Sequence, residues 1–390
     1  MATDMKQQQT EVPKKEKKGG LSGGLVTLLL VMALVLTMGM LSKMEEGNQF
    51  AALRRWLMYG DSSETGNLYT YAADQNNRYG VLGDKLLVVT PNAVRLLSDD
   101  GTSVYDLQIA MNAPRVSVGT AHAVVCDVGG DTLYVLDSTG VIDTKMLERG
   151  MCYYAARLNA SDDLAVVSQK SGYKASVSVY DKEGQLRFNF DSHDNYISDA
   201  VVTKDGKTLL AVALGEVDGA FASTLISYTI ADAQLLGETS VRDGLIMDLA
   251  VNGSSVLGLC DKRLSITSMA GEKLLDRAYG NLYLQNYALT GSDFCALLLG
   301  RYQAGNISQL TTYDLQGQEI ATMEIGEEVL DLSSAGSYLA VLYSNSLVIY
   351  TRDLTEYARL DNTDYAGRVY MQGDGTALVV SGTSAWRFRP

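Results

Sequence analysis

Two histidines, two tryptophans, four prolines and four cysteines are all that this 390-residue chain carries of these types. Each scarcity removes a class of function. His122 and His193 have no second ligand at metal-binding spacing, so no metal site is expected, and solitary histidines of this kind are structural. No cysteine belongs to a CxxC pair, and Cys126, Cys152, Cys260 and Cys295 each sit in or beside an apolar run, where they read as small buried hydrophobes. In an oxidising exterior two of them could also form a disulfide, and spacing alone leaves that open. Four prolines against 37 glycines favour tight turns over extended linkers. No Walker loop, GxSxG or HExxH pattern occurs, so the expected catalytic, cofactor-binding and metal-ligating residues are none.

Positive charge is also scarce, with 32 lysines and arginines against 46 acids and a net charge of −14. Five lysines against three acids leave residues 1–42 at +2, so the remainder carries −16. A body this acidic repels phosphate backbones, and no nucleic-acid partner is expected.

What is abundant is equally directed. Leu25–Leu41 reads LVTLLLVMALVLTMGML without a charge, and Leu21-Ser-Gly-Gly extends it to the ~20 residues that span a bilayer. Lysines precede this segment, with Lys43 alone just after it, so the positive-inside rule places the N-terminus in the cytoplasm and all that follows outside. The expected organisation is a basic disordered tail (1–20), a single-pass signal anchor (21–42), a juxtamembrane linker (43–65) and a folded extracytoplasmic body (66–390). A cleavable signal peptide ending near Met40 is the rival reading, against which the apolar run is longer than the ~7–15 residues of an ordinary h-region. Within the linker, Phe50, Leu53 and Leu57 share one helical face beside Trp56, the pattern of a short interfacial helix.

Beyond residue 65 the pattern becomes repetitive. An aliphatic run following a turn returns eight times: KLLVVT, HAVVCD, LAVVSQ, LLAVAL, VLGLCD, CALLLG, LAVLYS and ALVVSG, starting at Lys85, His122, Leu164, Leu209, Val256, Cys295, Leu339 and Ala377. Successive copies begin 37, 42, 45, 47, 39, 44 and 38 residues apart, the period of four-stranded propeller blades. A second landmark, as in SVYDKEGQL, places Gly101, Gly140, Gly184, Gly271 and Gly317 three residues after Ser98, Asp137, Asp181, Ser268 and Asp314. An oxygen-bearing side chain followed by glycine closes a hairpin between a third and a fourth strand, so these residues read as turn formers rather than catalysts. The fourth unit (Ala231–Gln234) and the seventh (Arg352–Thr355) depart from this pattern.

The expected fold is therefore all-β: an eight-bladed β-propeller, with seven blades as the alternative, preceded by one transmembrane helix. Blades should begin near Arg78, Ala113, Met151, Tyr196, Gly244, Leu282, Val329 and Tyr365. The last unit supplies only three strands, and the unused segment Asn67–Asp74 is expected to pair with Ser384–Arg389 and close the ring.

The order of a lysine-bearing tail, LVTLLLVMALVLTMGML, a brief linker and degenerate units such as SVYDKEGQL and TYDLQGQEI resembles a family of membrane-anchored WD40-like or PQQ-like propellers of Gram-positive bacteria, a domain of unknown function (DUF5711-like). That resemblance implies the architecture and carries no activity or site residues. With only Trp56 and Trp386, the repeated tryptophan motif of true quinoproteins is missing.

In a propeller the first-to-second and third-to-fourth turns share one rim, which the glycine turns occupy. The opposite rim carries the long excursions 168–176, 215–223 and 300–308, together with 191–196, 279–283 and 361–365. There stand Tyr173, Lys174, His193, Tyr196, Phe221, Tyr283, Arg301, Tyr302 and Tyr365, an aromatic and basic set suited to recognition. The expected role is non-enzymatic: a protein–protein interaction scaffold of the cell envelope whose partner is an envelope or membrane protein. The alternative is a small-ligand sensor or hydrolase-like enzyme using channel-facing Arg115, Arg157, Asp199, Asp248, Asn286 and Arg368.

Overall fold

The computed structural model describes residues 66–390, apart from Gln75, Asp99, Asp218, Asp243, Ala304, Asn306 and Asp364. The basic tail, the expected span 21–42 and the linker 43–65 lie outside the described residues. Among those described, every regular element is a strand, and no helix is long and apolar enough to cross a membrane.

Thirty-two strands form eight four-stranded antiparallel sheets. Seven are contiguous in sequence, their inner strands being Arg78–Leu82, Pro114–Val118, Tyr153–Leu158, Tyr196–Val202, Ile246–Asn252, Tyr283–Ala288 and Val329–Ala335 (blades 1 to 7). Blade 8 takes Ala366–Met371, Ala377–Ser381 and Ser384–Phe388 from the end of the chain, and its outer strand, Gly66–Thr70, from the beginning. Thr70 lies opposite Ser384 and Gly66 opposite Arg387. The first described strand thus covers the edge that the last would otherwise leave open. It stops at Thr70, and Tyr71 then turns inward, its hydroxyl donating to the carbonyls of Ser381 and Ser384 at 2.9 and 2.7 Å. Eight blades, not seven, make the ring.

Each aliphatic run is the second strand of its blade, sandwiched between neighbouring sheets and buried on both faces. Double burial explains why these runs read as continuous apolar stretches rather than alternating ones. Outer strands such as Ser103–Gln108 face solvent and alternate. The core is correspondingly divided into clusters joining adjacent blades. Ala165, Val177, Ile197 and Leu209 join blades 3 and 4, while Leu298, Leu310, Leu339 and Val348 join blades 6 and 7. Tyr69, Leu86, Val88 and Leu378 seal blade 8 to blade 1.

Four of the five glycine turns have the expected geometry; Gly140 instead opens the outer strand Gly140–Met146 at φ 141° and pairs with Asp137 across a shorter turn. Gly101, Gly184, Gly271 and Gly317 sit at φ of 79–82°, each amide donating to the carbonyl three residues earlier. Asp181 and Asp314 cap their turns by accepting from the amides two and four residues ahead. In the seventh unit the same left-handed position is held by Leu354 (φ 60°), whose amide donates to the Thr351 carbonyl. In the fourth the turn is one residue longer, closed by the Thr229 amide donating to the Gln234 carbonyl, and Ala233 (φ 56°) is its left-handed residue.

Candidate functional site

The second-to-third and fourth-to-first connections share the loop rim, and it is uneven. In blade 4 the ten-residue strands Thr208–Val217 and Ala220–Thr229 run past their neighbours, since the inner strand pairs only to Leu214 and the outer only from Ala222. The hairpin tip therefore projects, carrying Phe221 at 83% exposure. At the junction of blades 3 and 4, Tyr173 packs on His193 with ring centroids 4.1 Å apart. Lys174 lies over the Tyr196 ring at 5.4 Å and donates to the Asp194 carbonyl at 2.6 Å. On blade 6, the Gln285 side chain donates to the Tyr302 carbonyl at 3.1 Å, drawing the loop that starts at Arg301 toward the inner strand that bears Tyr283. Tyr365, exposed and left-handed at φ 59°, stands apart at the start of blade 8.

Three residues that the sequence reading passed over complete this surface. Leu245 and Met247 of blade 5 and Ile307 of blade 6 are exposed and fill the interval between the aromatic groups. Met247 occupies an irregularity in strand pairing that falls between Ile246 and Asp248. The same irregularity recurs in the inner strands of blades 3, 4, 6, 7 and 8. A bulge inserts one residue and re-aims its side chain, which is how an apolar Met on an innermost strand comes to face solvent. Period-two pattern reading has no signal for that insertion.

The bulges also set the channel. Arg78, Arg115, Ala155, Asp199, Asp248, Asn286, Asp331 and Arg368, one from each blade, lie opposite Val89, Cys126, Val167, Val212, Leu259, Leu298, Leu342 and Val380 in the aliphatic runs. They form one ring of equivalent positions. Arg157, two residues further along blade 3, reaches from its own blade to two others. Its Nη2 meets Asp199 Oδ2 and Asp248 Oδ1, both at 2.6 Å, and its Nη1 donates to the Leu249 carbonyl at 2.7 Å. Burial lifts Asp199 above the usual carboxylate range; Arg157 pulls against that rise and Asp248 adds to it. Burial works against the charge on Arg157, but the two carboxylates outweigh it and raise its pKa. Tyr287 is pushed up to about 12, by burial first and then by Asp248. Asp331 accepts the Val369 amide at 2.9 Å and meets Arg368 at 3.5 Å, and burial raises it as well.

Three of the six channel candidates thus converge, which is what a channel site requires. The convergence is also self-satisfying, because one guanidinium engages both carboxylates and leaves no unpaired acid–base couple there.

The remaining polar clusters are internal fastenings. Asp162 accepts the amides of Thr120, Ala121 and His122, binding blade 3 to blade 2. His122 Nδ1 lies 3.8 Å from Asp162, a structural position. The turn Asp181–Gly184 flanks a groove of about 450 Å³ whose Arg187 faces Asp163 at 3.4 Å and Lys182 faces Glu183 at 3.7 Å. All four cysteines are free thiols. Burial pushes Cys126, Cys260 and Cys295 up to about 12, so at neutral pH they carry no thiolate.

Eight blades, a ring closed by the first described strand, and one rim of uneven loops define an eight-bladed β-propeller. The chain belongs to DUF5711, a family of unknown function whose profile matches residues 61–382. No curated protein matches it. Among solved structures it is similar to BamB from Moraxella catarrhalis (13% identity, TM-score 0.52, covering 82% of this chain and 100% of that one). It is also similar to the C-terminal WD40 domain of Sif2 (15%, 0.56, 83% and 98%). The quinohemoprotein alcohol dehydrogenase ADHIIG of Pseudomonas putida HK5 is a third (10%, 0.57, 83% and 75%). At these identities the likeness is one of fold.

Proposed function

We propose that this protein is a non-enzymatic interaction scaffold of the cell envelope, tethered by residues 21–42 with its N-terminus in the cytoplasm and its propeller outside. Its partner is another envelope or membrane protein, received on the loop rim over blades 3 to 6. The observation that carries this reading is the exposed arc of Tyr196, Phe221, Leu245, Met247, Tyr283 and Tyr302. Large apolar side chains on projecting loops do nothing for a core they do not touch, and aromatic anchors of this kind dominate protein–protein recognition.

Two further features support it. Gly66, the first described residue, lies opposite Arg387 at the glycine-turn end of blade 8, on the rim away from the arc. The acidic body disfavours nucleic acid and anionic lipid as alternative partners.

The test is in-cell crosslinking of the full chain, compared with the variant Phe221→Ser/Met247→Ser/Tyr283→Ser/Tyr302→Ser. Crosslinked species should disappear in the variant while its melting temperature stays unchanged. An identical crosslinking pattern in both proteins would overturn the reading. Protease added to intact cells should cleave the propeller but spare the tail, and protection of the propeller would reverse the topology.

A further inference from the structure

The acidic members of the channel ring all have partners. Asp199 and Asp248 hold Arg157, and Asp331 holds the Val369 amide and Arg368. Arg115 is different. Among the described residues it has no hydrogen bond or ion pair, yet it lies on the innermost strand of blade 2 and is exposed there. Its ring register, shared with Asp199 and Asp248, which Arg157 joins across the blades, places it at the channel. Its charge acts on the Tyr287 hydroxyl, which belongs to blade 6, directly opposite in a ring of eight.

Its neighbours around the ring are informative. Blades 8, 1 and 2 present Arg368, Arg78 and Arg115 in succession. The Arg368 side chain is 63% exposed and meets Asp331 only at 3.5 Å, so most of its donors stay available. Three successive arginine positions, Arg115 and Arg368 among them exposed, therefore stand on one side of a channel in a molecule whose net charge is −14. Low-dielectric walls focus the field of such a pair, and a guanidinium matches a carboxylate through two parallel N–H groups.

We propose that this side of the channel is a binding site for a small organic carboxylate, with Arg115 gripping the carboxyl group and Arg368 assisting. This does not depend on the scaffold role, since the loop-rim arc and the channel ring share no residue.

The test is calorimetric titration of the full chain in detergent with sodium benzoate and, separately, inorganic phosphate. Benzoate should bind saturably and phosphate more weakly. Arg115→Gln should weaken benzoate about tenfold or more, the scale of one charge-assisted pair, while Arg115→Lys retains part of the affinity. Because Arg115 has no partner among the described residues, Arg115→Gln should melt like the wild type. Arg368→Gln, expected to weaken benzoate less, serves as a further variant should it not. The loop-rim quadruple variant should bind benzoate normally. No saturable benzoate binding, equal affinity in Arg115→Gln, or phosphate binding as tightly as benzoate would each overturn the assignment.

Discussion

The two rims of this propeller use their side chains in opposite ways. On the glycine-turn rim, polar groups are engaged within the molecule: Asp181 and Asp314 cap their own turns, Asp162 binds the loop of the preceding blade, and Ser161 donates to the Lys204 carbonyl of the next at 2.7 Å. On the loop rim, from blade 3 to blade 6, the largest side chains touch little and remain exposed. The regular rim repeats because backbone geometry demands it. The irregular rim is under no such demand, so its composition is available for recognition.

Carboxylates show the same division. At the turns, hydroxyl and amide donors hold Asp100 down at about 2 and lower Asp137, Asp205 and Asp353. In the channel, burial raises Asp199 and Asp331. One residue type is shifted in opposite directions by solvation and donor count alone.

Substitutions that remove an internal fastening should have the largest effects. Arg157→Ala leaves two partly buried carboxylates facing each other and should cost about 3 kcal/mol in denaturant unfolding. A loss below about 1 kcal/mol would show that blades 3 to 5 hold together without it. Asp162→Ala strands amides of the Thr120–His122 loop and should cost about 2 kcal/mol by the same measurement. The turn position allows a sharper contrast, because the sign should reverse. Gly184→Ala should lose about 1 kcal/mol, and Ala233→Gly should gain a similar amount, since both positions are left-handed. Equal signs would mean that one of the two residues does not hold its left-handed conformation.

On the loop rim, Phe221→Ser and Tyr302→Ser should each move stability by less than ~0.5 kcal/mol. A larger loss would make the arc part of the core and erase the contrast between the rims.

The pH response should divide in the same way. Turn aspartates have depressed pKa values, so the stability they contribute is present above the unfolded value near ~4 and is lost as pH falls through the folded values. Asp331 is raised, so the proton favours its folded form and its contribution declines as pH rises above ~4. Asp331→Asn should therefore gain stability relative to the wild type between acid and neutral pH, and a flat difference would refute the raised value.

Blade starts were legible to within about two residues because the aliphatic run recurs in all eight units and the turn glycine in five of them. The doubly buried second strand is written as a run of aliphatics, and the turn glycine is written by its φ. The ring of channel residues was only half legible. Arg115, Asp199, Asp248, Asn286 and Arg368 stood out as polar insertions in apolar strands, but the alignment of all but Arg115 with its blade depends on a bulge that leaves no compositional trace. Met247 went unnoticed for the same reason, since an apolar residue on an inner strand ordinarily reads as core.

The sequence by itself determined the repeat and the turn chemistry, because each follows from contacts within about forty residues. Only the tertiary structure decided that there are eight blades rather than seven, and that Arg157 would meet Asp199 and Asp248 while Arg115, among the described residues, has no hydrogen bond or ion pair. Those outcomes depend on the circular arrangement of blades, which brings residues from separate repeats to one axis, and no local pattern encodes a distance across a ring.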